Sequence, residues 1–217
     1  MQGARNRNGR SRAAIRVESL EGRKLLSGLH ATPIHAKAAA AIIHRTQAPR
    51  PAADRWSWLT NTYWYVPAAN LDAVVYSPNT GTIAMLPDQT VYHISGYRSG
   101  YFWGETVTQL GQAAPTSSAL VGSVTPQGRL LLTFTSSTDT ITGYGVMNRK
   151  HGVWTMENQM FTSSSSSQIG HWAYMVPTRP GTASWRSLPS VGVSVPTFMS
   201  HYTATTPTPI GFRGRPV

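Results

Sequence analysis

The chain of 217 residues contains no cysteine. Disulfide bonds, thiolate nucleophiles and cysteine-ligated zinc sites are therefore excluded. Long apolar runs are also missing, because the longest spans only residues 38–43, whereas a membrane-spanning helix needs about 20 residues. The sequence thus predicts no transmembrane segment. Its length suits one domain with extensions, or two small domains, and is sufficient to bury a core.

Motifs of common catalytic and cofactor sites are absent as well. The sequence has no G-x-S-x-G elbow, no H-E-x-x-H helix, no Walker A loop and no complete Rossmann glycine fingerprint. The seven histidines are scattered singly, without a pair at metal-ligand spacing. Asp72, Asp88 and Asp139 neighbour turns, where aspartate accepts backbone hydrogen bonds. We expect no cofactor, no metal and no catalytic residue.

The formal net charge of +11 is concentrated at the N terminus. Residues 1–55 hold eleven Lys and Arg against three acidic residues, whereas the remainder of the chain is nearly neutral. A basic domain can bind nucleic acid by neutralising phosphates. Here only a flexible arm is basic, and such an arm is more typical of a targeting or solvated segment. The sequence therefore predicts no nucleic-acid partner.

Residues 15–28 read IRVESLEGRKLLSG and follow a basic leader. This segment resembles the V-E-x-L-E-x-R-x-L-L-S motif of exported and surface proteins of planctomycete bacteria. The residues that match are Val17, Glu18, Leu20, Glu21, Arg23, Leu25, Leu26 and Ser27. The resemblance implies contact with export machinery through residues 15–28. It also implies an exported, periplasmic or cell-surface location.

The composition changes at Trp56, where short aromatic and β-branched runs begin. The candidate strands are residues 62–66, 71–76, 82–86, 90–97, 101–110, 118–124, 129–136, 140–148, 153–161 and 168–176. Their short connections leave no room for crossover helices, so the sheet should be antiparallel. An up-and-down meander of this length protects its edges most simply by closing into a barrel of about eight strands.

Three segments follow from this reading. We predict a basic, flexible targeting and linker segment over residues 1–55, a β-barrel domain over residues 56–202, and an extended or disordered tail over residues 203–217. The proline-rich stretch after residue 176 could add a covering strand or plug one end of the barrel.

The first candidate strand reads TYWYVP over residues 62–67. It resembles the G-x-W strand of lipocalins, with Trp64 in the tryptophan position, and the whole body is similar in architecture to the calycins, the group of lipocalins and avidins. The resemblance implies a barrel that holds a small ligand. Barrels of about eight strands can enclose one such molecule.

Candidate ligand-binding residues come from strands on which both faces carry large side chains. The strand at residues 101–110 is the main example. The candidates are Tyr65, His93, Trp103, Glu105 and Glu157. Together they favour an exported barrel that binds a small apolar or amphipathic ligand, or a surface partner, without catalysis.

Two alternatives remain open. One is a barrel enzyme of the isomerase or hydrolase type, which would need Glu105, Glu157 or His93 to converge inside the barrel. The other is a structural module of the cell envelope, which would have a filled core.

Overall fold

The computed structural model describes residues 54–164 and 166–210, and most of this part of the chain is β-strand. The strands are β1 (Thr62–Tyr65), β2 (Asp72–Ser77), β3 (Thr82–Arg98), β4 (Tyr101–Leu110), β5 (Thr116–Val124), β6 (Arg129–Thr135), β7 (Thr140–Lys150), β8 (Val153–Ser163), β9 (Gln168–His171) and β10 (Tyr174–Thr178). Two 3₁₀ turns (Ser57–Leu59 and Ala68–Asn70) and two short helices, α1 (Ala183–Arg186) and α2 (Val195–Met199), accompany them.

The strands form one closed antiparallel barrel. Eight of them make the ring in the order β1, β10, β8, β7, β6, β5, β4 and β3, and β1 closes it by pairing with β3. The other two strands, β2 and β9, pair with each other and continue the wall at the far ends of β3 and β8. The predicted antiparallel barrel of about eight strands is confirmed.

Two predicted strand boundaries were wrong. The expected strands at 82–86 and 90–97 are one strand, β3, because Pro87 lies where β3 leaves its partner β2 and begins to pair with β4 at Asp88. Proline has no backbone N–H to donate, and this costs little stability at a position where the strand changes its pairing partner. The expected strand at 168–176 is divided into β9 and β10, which pair with different neighbours, β2 and β1.

One end of the barrel is filled and plugged. Its interior is packed with fully buried side chains that include Trp64, Phe102 and Leu132. The 3₁₀ turn before β1 inserts Leu59 beneath them, and the indole N–H of Trp56 donates to the Thr125 carbonyl over 2.8 Å. This end therefore supplies the main hydrophobic core.

A glycine makes room for the aromatic packing at this end. A β-carbon on Gly122 would lie only 2.4 Å from the ring of Phe102. The absence of a side chain at Gly122 lets the phenyl ring lie directly against the β5 backbone. Close packing of this kind fills the lower interior.

A second, smaller core lies on the outside of the barrel. Val91 of β3 and Val107 of β4 point outward and pack against Leu188, Val195 and Phe198 of the C-terminal segment. This outer layer replaces the covering strand or end plug expected for residues 177–202.

The residues after α2 continue along the outer face of the barrel. The backbone N–H of Thr203 donates to Ser117 Oγ over 3.0 Å, and Thr206 Oγ1 donates to Glu105 Oε1 over 2.8 Å. The first part of the predicted tail, residues 203–210, thus lies along β4 and β5.

The predicted targeting motif at residues 15–28 lies outside the described residues. Within the described ranges, no helix has the length and apolar character needed to cross a membrane.

Candidate functional site

The end of the barrel opposite the plug contains a cavity of about 380 Å³. Its mouth lies among the connecting loops, where Ala113, Asp139 and Ser164 contribute to the lining. Tyr92 and Phe134 line its deeper, aromatic part. A volume of this size accommodates a small organic ligand.

The cavity arises from a change in side-chain size along the strands. On β4 the inward positions run from Phe102 at the plugged end to Thr106 and Thr108 at the open end. On β5 they run from Leu120 to Ser118. Because threonine and serine are smaller than the phenylalanine and leucine below them, the upper interior stays unfilled, and its wall carries hydroxyl groups.

A buried ion pair borders this cavity. Asp88 Oδ2 on β3 lies 3.0 Å from His171 Nδ1 on β9, and the two residues are only 6% and 2% exposed. The other ring nitrogen, Nε2, lies 3.0 Å from the Asn70 carbonyl. The backbone N–H of Asp88 donates to the Leu71 carbonyl over 2.7 Å. The pair therefore connects the end of β9 to β3 and to the 3₁₀ turn before β2.

The surroundings of His171 favour its charged form. Burial lowers the pKa of the imidazole, but the contact with the Asp88 carboxylate, its negative charge and the Asn70 carbonyl together raise the pKa above the ordinary value. Each ring nitrogen faces an acceptor: Nε2 is hydrogen-bonded to the Asn70 carbonyl, whereas Nδ1 makes an ion-pair contact with Asp88 that is not an aligned hydrogen bond. The pair therefore links β3 and β9 beside the cavity.

Hydroxyl groups extend from the ion pair along the cavity wall. Thr90 Oγ1 donates to Asp88 Oδ1 over 3.0 Å and lies 3.0 Å from Thr108 Oγ1. Thr106 Oγ1 donates to the Val91 carbonyl over 3.0 Å, and Thr116 Oγ1 donates to the Thr108 carbonyl over 3.3 Å. Four threonines are therefore held in place by bonds within the protein.

The apolar deep part of the cavity carries one uncharged polar group, the Tyr92 hydroxyl. The hydroxyl of Tyr92 donates to Met160 Sδ over 3.2 Å. Burial, with a smaller effect from the Asp88 charge, raises the pKa of Tyr92 far above its ordinary value, although the Asn158 side chain opposes the shift. The phenol remains protonated throughout the physiological pH range.

Four of the residues predicted from the sequence to bind ligand lie on the outer face near the C-terminal segment. His93 Nδ1 lies 3.4 Å from Glu105 Oε2, and the His93 ring stacks on Tyr63 at a centroid distance of 4.2 Å. Tyr65 packs against the outer core. Trp103 shares the outward face of β4 with Glu105 and lies over Gly96, where a β-carbon would be 2.4 Å from its ring.

The fifth residue, Glu157, faces outward from β8 and lies 2.6 Å from Lys150 Nζ. None of the five is among the residues that line the cavity. The barrel-enzyme alternative needs Glu105, Glu157 or His93 inside the barrel, and the structure places all three on the outer face. The second crowded face of β4 lies on the outside of the barrel, where Val107 and Glu105 contact the C-terminal segment.

Sequence reasoning missed the cavity residues for a physical reason. Asp88 is not a turn aspartate, because it alternates with Thr90 and Tyr92 on the inward face of β3. That alternation is a signal the sequence contains. His171 is 83 positions away along the chain, and only the β2–β9 pairing brings it to Asp88.

The fold and the cavity define a class of protein, a closed antiparallel β-barrel plugged at one end and open at the other. Comparison of the chain with models of protein families, with curated proteins and with solved structures found no match. Among residues 54–164 and 166–210, no group of three or more His, Asp or Glu side chains is arranged to hold a metal ion.

Proposed function

We propose that this barrel binds a small amphipathic molecule in the cavity at its open end. The observation that carries the proposal is the contrast between the two ends of one barrel. The plugged end is filled with apolar side chains, whereas the open end has a cavity of about 380 Å³ with an apolar interior and a row of hydroxyl groups. Ligand sites combine an apolar lining with a few fixed polar groups in this way.

The arrangement favours binding over the two alternatives. A purely structural module would gain stability from filling the open end as it fills the plugged end. A barrel enzyme would need free acid and base groups in the cavity, whereas His171 has both nitrogens directed at acceptors. The lipocalin-like strand around Trp64 also supports a ligand carrier.

The test uses the neutral fluorescent probe N-phenyl-1-naphthylamine, because it reports an apolar site without adding a charge. We expect saturable binding near one equivalent. Ser118→Phe places a ring in the cavity from β5 and should weaken binding by about tenfold or more, which corresponds to about 1.4 kcal/mol. Val121→Phe is the matched control, because Val121 lies on the outer face of the same strand and is 51% exposed.

Urea melts of both variants must accompany the titrations, so that unfolding is not mistaken for loss of the site. Absence of saturable binding by the wild-type protein would contradict the proposal. Undiminished binding by a folded Ser118→Phe variant would contradict it as well.

We also propose that the basic segment delivers the barrel to the cell surface or periplasm. Support comes from the motif-like residues at 15–28. Residues 1–55 fused to a reporter in a planctomycete host should carry the reporter out of the cytoplasm, and Leu25→Asp combined with Leu26→Asp should retain it. A reporter that stays cytoplasmic with the intact segment would refute this role.

A further inference from the structure

Four threonine hydroxyl groups of the cavity wall are oriented by the groups to which they donate. Asp88 is a carboxylate and can only accept, so Thr90 must donate to it. The single hydrogen of Thr90 is then used, and the contact of 3.0 Å between the two hydroxyls requires Thr108 to donate to Thr90. The oxygen of Thr108 therefore keeps its free lone pairs and has no hydrogen to offer a ligand.

The same reasoning applies to two neighbouring threonines. Thr106 uses its hydrogen on the Val91 carbonyl, and Thr116 uses its hydrogen on the Thr108 carbonyl. Backbone carbonyls cannot donate, so both hydroxyl oxygens are left as acceptors. Four threonines on three adjacent strands thus form a wall that accepts hydrogen bonds.

The charged residues around the cavity also favour a ligand that donates hydrogen bonds. Its charged lining residues are Asp88, Asp139 and His171, and no lysine or arginine among the described residues joins them. His171 faces Asp88 and the Asn70 carbonyl with its two nitrogens. An anionic ligand would therefore meet the Asp139 carboxylate at the mouth, and the cation of the lining, His171, is already paired with Asp88.

We propose that the cavity is specific for a ligand with an apolar body and a positively charged head that donates hydrogen bonds, namely an alkylammonium or arylammonium ion. This inference rests on the proposed ligand-binding function and adds the chemistry of the head group. The ammonium offers three donors to a wall of acceptors, and Asp139 supplies a negative charge at the mouth, whereas the charge of Asp88 is already paired with His171. The aromatic and aliphatic side chains deeper in the cavity accommodate the apolar body.

The experiment compares three ligands that share one apolar chain. Decylammonium, decanol and decanoate are used at neutral pH, below their aggregation concentrations, to displace N-phenyl-1-naphthylamine from the full chain. We expect decylammonium to compete best and decanoate least. The difference between these two should be about tenfold or more, the range of a charge-assisted hydrogen bond.

A variant then tests the wall itself. Thr108→Val keeps the side-chain shape and removes the acceptor. It should therefore weaken the binding of decylammonium about fivefold to tenfold and leave the affinity for the neutral probe unchanged. Thr108→Ser should restore the affinity. Thr142→Val is the matched control, because Thr142 is exposed on the outer face of β7.

The outcomes separate the two proposals. If the neutral probe binds but decanoate competes as well as decylammonium, or none of the three ligands competes, the head-group inference is wrong while the binding function stands. If Thr108→Val leaves the affinity for decylammonium unchanged, the acceptor wall is not the cause of specificity, and the inference is likewise overturned. If the neutral probe does not bind at all, the proposed function itself fails.

Discussion

The ion pair between Asp88 and His171 makes a strong prediction about stability. Asp88→Asn removes the negative charge and leaves His171, which is 2% exposed, without its counter-charge. Breaking a buried pair by removing one partner costs about 3–5 kcal/mol. We expect a loss of this size in the free energy of unfolding at pH values near 6.

The loss of stability should depend on pH, and the direction of this dependence follows from the raised pKa of His171. In the wild-type protein the contribution of His171 to the free energy of unfolding is complete when the pH is below about 6.5, the pKa of the histidine in the unfolded chain. This contribution is lost as the pH rises through the higher pKa of the folded state. Each pKa unit of difference contributes about 1.4 kcal/mol. In Asp88→Asn, burial favours the neutral imidazole, so the variant should be least stable, relative to wild type, at low pH.

Urea unfolding, followed by circular dichroism at a series of pH values, measures this difference directly. The imidazole signal of His171 in an NMR titration reports its pKa. Glu105→Gln is the control, because Glu105 belongs to the more exposed pair with His93 and its loss should cost less than about 1 kcal/mol. A destabilisation by Asp88→Asn that is the same at every pH, or a His171 that titrates below its ordinary value, would refute the reasoning.

Three further predictions concern the outer face, the packed end and the domain boundary. Trp103→Ala should leave probe binding unchanged in a fluorescence titration, because Trp103 lies outside the barrel over Gly96; weakened binding by the folded variant would contradict this placement. Gly122→Ala should lower the free energy of unfolding by about 1–3 kcal/mol, because its β-carbon would meet the Phe102 ring at 2.4 Å, and a neutral result in a urea melt would show that the packing can relax. A chain beginning at Ala53 should melt cooperatively as a β-protein by circular dichroism, whereas an unfolded product would place the domain boundary earlier.

The barrel could be predicted from the sequence because its determinants are local. Short turns such as Ser99-Gly100 and the alternation of Leu130, Leu132 and Phe134 act over a few residues. Such signals define strand order in a meander, where each strand pairs with its neighbour in sequence. The exception is informative, since the break between β9 and β10 depends on pairings with β2 and β1 that no local pattern contains.

The candidate site was harder to predict because alternation identifies two faces of a strand without saying which one is inside. On β4, Trp103 and Glu105 form one face, and Phe102 and Thr106 form the other. The larger polar and aromatic side chains suggested a ligand site. The face they form is instead the outer one, where Val107 packs against Phe198 and Glu105 accepts a hydrogen bond from Thr206.

The two ends of the barrel predict a separation of stability from binding. Trp56 is 2% exposed, donates to the Thr125 carbonyl and packs edge-on against Trp154 at a centroid distance of 5.1 Å. Trp56→Ala should therefore lower the free energy of unfolding by about 3–5 kcal/mol. Because the filled core separates the plug from the cavity, the affinity for N-phenyl-1-naphthylamine should not change under conditions where the variant is folded.

Ser118→Phe should lower the affinity, and the stability effects of the two substitutions should add within about 0.5 kcal/mol, as expected for distant sites. A Trp56→Ala variant that is fully folded but binds the probe several-fold more weakly would show that the plug and the cavity are energetically coupled, and the separation argued from the packing would be wrong.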